Sequence, residues 1–132
     1  MEMAAVVAKK SKDPRTKVGA IITNDINEVI GVGFNGPPRY IDDKIICWEA
    51  PEKYNWILHA EENAILFGMK HGKDKATTLY TTAFPCVHCT LIAIQVSITR
   101  IVYGTCMPVM CLDNQLKVME IAKEAKIDIL RF

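Results

Sequence analysis

At 132 residues the chain has room for one domain with a core and too little for two ordinary ones. Half of the residues are hydrophobic and 23% are charged, the balance of a folded globular protein and not of a disordered acidic or basic tail. Sixteen Lys and Arg against fifteen Asp and Glu leave +1, which argues against a protein whose main task is gripping nucleic acid and leaves small substrates open.

Residues Met1 to Ser11 are rich in Ala, Met and Lys, and Asp13-Pro14 supplies a stop, so a first helix is expected there. Its larger aliphatics are only Val6 and Val7, far short of a signal h-region or a membrane span. The expected location is cytoplasmic, with no membrane partner. Val18 to Ile22 and Val29 to Phe34 are β-branched runs joined by Thr23-Asn24-Asp25-Ile26-Asn27, which predicts a hairpin. Gly31 and Gly33 inside its second strand are costly unless a backbone or ligand comes close. Asn35-Gly36-Pro37-Pro38 ends that strand abruptly, marking its end as a candidate pocket wall.

From Arg39 to about Trp56 neither helical nor strand periodicity holds, and a connection this long inside a small domain is usually functional. A second helix is expected from His59 to His71-Gly72, with Ala60, Ala64, Ile65, Phe67 and Gly68 on its apolar positions and His71 supporting its C-terminus. Ala76 to Ala83 reads as a strand. Cys86 to Val96 reads as a helix in which Leu91, Ile92 and Ile94 are expected to be buried, and Arg100 to Tyr103 as a further strand. A Gly-Thr-Cys-Met-Pro loop follows. Asn114 to Lys126, with Leu116, Met119, Ile121 and Ala122 set against Lys117, Glu120, Lys123 and Glu124, predicts an amphipathic helix before a last strand, Ile127 to Phe132. No linker interrupts the chain, so residues 1–132 are expected to form a single domain. The order α-β-β-α-β-α-β-α-β predicts an α/β fold, a mixed five-stranded sheet between helices on both faces, its last strands parallel and joined by right-handed crossovers.

On that layout two short stretches, His59-Ala60-Glu61 and Pro85-Cys86-Val87-His88-Cys89, both fall at strand ends and helix starts, where open α/β sheets bind ligands. One imidazole and two thiolates with an open fourth position is how a catalytic zinc is held, whereas a structural zinc is closed by a fourth protein ligand. His59, Cys86 and Cys89 are therefore the candidate Zn2+ ligands. The start of a helix stabilises thiolates through its free N–H groups. Glu61 could not share a target with His59 in mid-helix, but at an N-terminus it can stand beside a metal that lies off the helix end. There it would move protons for a zinc-activated water, as base and then as acid, which points to hydrolytic deamination. An odd count of five cysteines, two of them in C-x-x-C, makes a disulfide framework the poorer reading, and metal-bound thiolates imply a reducing compartment. The bland alternatives are a structural zinc knuckle for the Cys pair and a dipole-favouring carboxylate for Glu61, a role Glu62 fits better. His88 is expected at the surface or beside the ligands, and Cys47, Cys106 and Cys111 as buried small hydrophobes.

His-x-Glu, 23 residues and then Pro-Cys-x-x-Cys is similar to the signature of zinc nucleobase deaminases. Over most of residues 11 to 104 the chain resembles the deoxycytidylate (dCMP) deaminases of the cytidine deaminase superfamily. The resemblance runs through Ser11 to Ala20, Gly31 to Arg39, His59-Ala60-Glu61-Glu62-Asn63-Ala64-Ile65 and Phe84 to Cys89. It implies the cytidine deaminase fold and conversion of dCMP to dUMP with release of ammonia, supplying dUMP for thymidylate synthesis. It also implies that Asn35 approaches the sugar, and either of the basic residues Arg15 and Lys17 could meet the 5′-phosphate. A homo-oligomer, commonly a hexamer, is implied as well. So is control by dCTP (activating) and dTTP (inhibiting) at Gly33, Phe34, Asn35 and Gly36, with Mg2+ accompanying the triphosphate. The chain departs from the family pattern after Gly104, where Thr105 to Cys111 replaces a loop bearing Tyr and Asp or His. Competing readings are a deaminase of tRNA adenosine, cytidine or guanine, or a non-catalytic zinc-stabilised binding module.

Overall fold

The computed structural model describes residues 1–71, 76–105 and 112–132. Five strands form one mixed sheet in the order β2-β1-β3-β4-β5, with β1 Gly19–Asn24, β2 Val29–Phe34, β3 Ala76–Thr81, β4 Arg100–Tyr103 and β5 Asp128–Arg131. The hairpin β1/β2 and the β1/β3 pair are antiparallel; β3/β4 and β4/β5 are parallel, as helix crossovers between them require. The register aligns Gly31, Ile22, Leu79, Ile101 and Ile129 in one row across the sheet, and its middle members are almost wholly buried. Every residue of β1 is buried, so this strand is covered on both faces.

One face is covered by α1, Glu2–Ala8, which lies so close that a Cβ at Gly19 would meet the Ala4 carbonyl oxygen at 2.1 Å. This helix is shorter than Met1 to Ser11: the N–H groups of Lys9, Lys10 and Ser11 bond three residues back, to Val6, Val7 and Ala8, and the Ser11 hydroxyl donates to the Asn35 carbonyl at 2.8 Å. The opposite face meets α2, Ala60–His71, and α3, Val87–Gln95, whose Ala60, Ala64, Ile65 and Ala93 join Ala20, Ile22, Leu79 and Ile101 in the core. Gly31 and Gly33 are there for a backbone neighbour. A Cβ at either would strike the carbonyl oxygens of Ala64 at 2.4 Å or Ala60 at 2.3 Å, so β2 and α2 touch main chain to main chain.

Two helix faces differ from expectation. In α3 the buried residues are Cys89, Thr90 and Ala93, while Leu91 is exposed. In α4, Leu112–Ala125, the buried stripe is Val118 and Ala122, one turn apart, with Leu116 and Met119 exposed. Those two lie about 160° and 100° round the helix from Val118, and α4 packs on α3 and β5 with the narrower stripe. Cys47 is likewise exposed and not buried. Cys106 and Cys111, the loop they bound, Gly72 and the side chain of His71 lie outside the described residues.

The long connection after β2 carries two 3-10 turns, Asp43–Ile45 and Glu52–Asn55. It is fastened to the segment after α1 by three ion pairs: Lys12–Asp43 at 2.9 Å, Arg15–Glu49 at 2.7 Å and Lys53–Asp13 at 2.8 Å. Only the last is buried, with side chains 7% and 0% exposed. No helix among the described residues is long and apolar enough to cross a membrane.

Candidate metal centre and its cavity

The end of β2 fixes the start of α2. Gly36 and Leu58 exchange two backbone hydrogen bonds, at 3.1 and 2.8 Å, so His59 follows directly on a segment tied to the sheet. The Glu62 carboxylate then accepts from the His59 N–H at 2.7 Å, reaching back as the third residue of a capping box does. The α3 start is capped by a ligand candidate itself: the Cys86 Sγ accepts from the Cys89 N–H at 3.4 Å. Both motifs therefore sit at helix N-termini, and they converge.

The Nδ1 of His59 lies 3.5 Å from Cys86 Sγ and 3.4 Å from Cys89 Sγ, and the three ligand atoms are within 4.8 Å of one another. A tetrahedral zinc with bonds of about 2.05 Å to nitrogen and about 2.3 Å to sulfur sets those atoms about 3.6 Å apart, so the group fits. Among the described residues the cluster has three members and not four, the pattern of a site that keeps a position open. Glu61 is not one of them.

Without metal the cluster shares protons. A hydrogen bond to the Cys86 thiolate raises the His59 pKa to about 9, and the Cys89 thiol with the His59 ring lowers Cys86 to about 4. The neighbouring Cys86 sulfur and burial push Cys89 up. Neutral imidazole and two thiolates are the ligating forms, so metal binding near neutral pH displaces protons from His59 and Cys89. Glu61 is 4% exposed, and burial raises its carboxyl to about 7 against the opposing pull of its own backbone N–H and of His59. A carboxyl in that range exchanges protons readily at neutral pH.

His59, Glu61 and Cys86 open onto a cavity of about 400 Å³ whose other walls include Asp13, Thr16, Asn35, Lys53, Ile57 and Phe84. Asn35, expected at the pocket wall, is there, and its amide is also a brace: Oδ1 accepts from the Val18 N–H at 2.8 Å and Nδ2 donates to the Thr16 carbonyl at 2.9 Å. Arg15 and Lys17 are exposed and are not among the lining residues; the Arg15 guanidinium pairs with Glu49. Gly33, Phe34 and Gly36 line a second cavity of about 510 Å³ with Val32, Arg39, Asn63 and Lys70. The segment from Gly33 to Gly36 is thus divided between two cavities. His88 is at the surface, as expected, with Nε2 3.3 Å from Glu62.

Two wall residues escape a reading of the sequence. Asp13 passes there for a helix stop and Lys53 for a loop lysine, yet the Asp13 carboxylate accepts from Lys53 Nζ and from the backbone N–H of Arg15 and Thr16 at 2.9 and 3.0 Å. Burial would raise the Asp13 pKa, but these donors together hold it below the usual carboxylate range. The only sequence signal is Asp two residues before Arg15, the spacing of an Asx turn.

A family model described as the cytidine and deoxycytidylate deaminase zinc-binding region matches residues 1–105. A human protein named deoxycytidylate deaminase is 36% identical over 110 residues, covering 78% of this chain and 61% of its own length. A deaminase in the luxG 3′ region of Aliivibrio fischeri is 43% identical over 102 residues, covering 76% of this chain and 66% of its own. The chain thus spans less than two thirds of the length of these relatives. In three dimensions it is similar to a dCMP deaminase from the cyanophage S-TIM5, crystallised with dCMP and dUMP, at a TM-score of 0.80 and 20% identity over 99% of this chain and 92% of that one.

Proposed function

Because the chain belongs to the cytidine and deoxycytidylate deaminase family, we propose that it is a zinc-dependent hydrolase that converts dCMP to dUMP and ammonia. The observation that carries this is the convergence of His59, Cys86 and Cys89 beside a buried Glu61 at one cavity. The human relative's name and the cyanophage enzyme's ligands support dCMP as substrate. We read residues 1–132 as one deaminase domain.

Zinc held by His59, Cys86 and Cys89 would supply a water acidic enough to act as nucleophile near neutral pH. Glu61 takes a proton as water adds to the amino-bearing ring carbon, and hands it to the ring nitrogen. It then takes the second proton from the hydroxyl now on that carbon and delivers it to the departing amine as the C=O bond forms and the C–N bond breaks, so one carboxylate serves both transfers and is returned unchanged. Burial raises the Glu61 carboxyl above the ordinary carboxylate range, the direction this relay needs. Asn35, fixed by Thr16 and Val18, keeps one amide N–H for the sugar. Arg15 stands outside the cavity in an exposed pair with Glu49, a partner weak enough to exchange for phosphate, and Lys17 is exposed beside it. The second cavity, with Gly33, Phe34 and Gly36, is where dCTP and dTTP would act, with Mg2+ on the triphosphate and a homo-hexamer as the assembly. Thiolate ligands require a reducing compartment such as the cytoplasm.

Ammonia release from dCMP, CMP, cytidine, deoxycytidine and guanine, with and without dCTP or dTTP, tests this reading. dCMP should be the best substrate, and Glu61→Ala should lower turnover by about 10²- to 10⁴-fold while one zinc per chain remains. Full activity in that variant, or no ammonia from dCMP, sinks the mechanism.

A further inference from the structure

Among the described residues the wall of the 400 Å³ cavity holds one lysine and no arginine, and that lysine is Lys53. The side chain is 7% exposed, too buried for an idle surface lysine. An ammonium has three N–H donors. Within the described residues, one goes to Asp13 Oδ2 at 2.8 Å, and the Tyr54 ring lies on another side with its centroid 5.4 Å away. No other acceptor within the described residues receives a hydrogen bond from Nζ. A buried donor set left incomplete on protein acceptors is costly unless something in the adjoining space completes it.

We infer that Lys53 is the residue that reads the phosphate of the nucleotide, an assignment that rests on the deamination proposed above. The geometry favours an anionic oxygen over a neutral one. The Asp13 carboxylate is already loaded by Lys53 and by two backbone N–H groups, which spreads its charge, and two of the three ammonium donors are left without an acceptor among the described residues in a side chain that lines the cavity. Thr16, whose backbone N–H is one of those donors, also lines the cavity and adds a hydroxyl-bearing side chain to the same wall. The metal-side wall of His59, Glu61 and Cys86 has chemistry for the base, and Lys53 with Thr16 has chemistry for a phosphate monoester. Lys53 thereby separates nucleotides from nucleosides from within the wall, and Arg15, exchanging Glu49 for the phosphate, would add to it from outside.

The test compares the zinc-loaded full chain with Lys53→Met and Lys53→Arg, using calorimetric binding of dUMP and of deoxyuridine alongside turnover of dCMP and deoxycytidine. Lys53→Met should weaken dUMP binding at least about tenfold relative to deoxyuridine, with the loss in KM for dCMP exceeding the loss in kcat, and Lys53→Arg should restore part of it. Since Lys53→Met leaves Asp13 without its cation, the double variant Asp13→Asn/Lys53→Met keeps the two backbone acceptor bonds without a buried charge and should show the same shift in selectivity. Equal losses for phosphate-bearing and phosphate-free ligands, or wild-type protein that binds deoxyuridine as tightly as dUMP, overturn the assignment. Phosphate-dependent binding of dUMP that disappears in Lys53→Met, in a protein that releases no ammonia from dCMP, would sink the deamination and uphold Lys53.

Discussion

Substituting Gly33 by alanine tests whether the metal centre is positioned by main-chain contact between β2 and α2. The new Cβ would stand 2.3 Å from the Ala60 carbonyl oxygen, 2.3 Å from the Ala64 nitrogen and 2.8 Å from the Asn63 carbonyl carbon. All three are backbone atoms, so no side chain can rotate away. Reaching the 3.4 Å of ordinary contact means separating strand and helix by roughly 1 Å. Overpacking of this kind costs about 1–3 kcal/mol, visible as a lower urea midpoint with an unchanged slope. The displaced turn also carries His59 and Glu61. A misplacement of about 1 Å there costs about 10²-fold in turnover, with zinc content falling less. Gly36→Ala is the control, because a Cβ there would meet only the Phe34 ring at 3.9 and 4.0 Å. A Gly33→Ala protein within about 0.5 kcal/mol of wild type and equally active would refute the reasoning.

Asp13→Ala strands the Lys53 ammonium and two backbone N–H groups in a buried site, and should cost about 3–5 kcal/mol by urea denaturation; a loss under about 1 kcal/mol would mean the pair is open to water. Because the Asp13 pKa is lowered in the fold, its contribution is full above the unfolded value of about 3.9 and is lost as pH falls through the lower folded value. The stability difference between wild type and Asp13→Asn should therefore be level from pH 5 to 7 and shrink below about pH 4; a difference that stays constant down to pH 2.5 would contradict this. Glu62→Ala removes the acceptor for the His59 N–H and should cost about 1 kcal/mol, while Glu62→Gln keeps the cap and should lose less; equal losses would show that the bond is not what matters. In chelator-treated protein Cys86, whose thiol is held low in pKa, should react with a thiol reagent, zinc should protect it, buried Cys89 should react slowly if at all, and exposed Cys47 should react in either state by mass spectrometry. Labelling of Cys86 that ignores zinc would exclude it as a ligand.

The candidate metal cluster was readable because its logic is local: candidate ligand types and spacing are written in two short stretches, and each stretch opens a helix. Gly31 and Gly33 were readable for a related reason, since an unfavourable residue inside a strand demands a close neighbour, and the neighbour is the α2 backbone. The helix faces were harder. In α4 the apolar residues make two stripes, Leu112-Leu116-Met119 and Val118-Ala122, and nothing in the helix itself says which one meets α3 and β5. Lys53 and Asp13 are 40 positions apart on two segments without periodicity, so only the folded path of the long connection brings them together.

Glu62 reaches both helix starts at once. One of its oxygens takes the His59 N–H at 2.7 Å, and the other lies 3.3 Å from the ring of His88, which sits between Cys86 and Cys89. This link joins the two halves of the ligand cage by a route that does not pass through the ion. The backbone cap on His59 and the sheet and core that seat both helices give the cage a frame besides its metal, whereas a zinc finger's fold is made by its metal. An ion entering such a scaffold finds its partners already gathered, and its departure should leave the fold standing and ready to be reloaded.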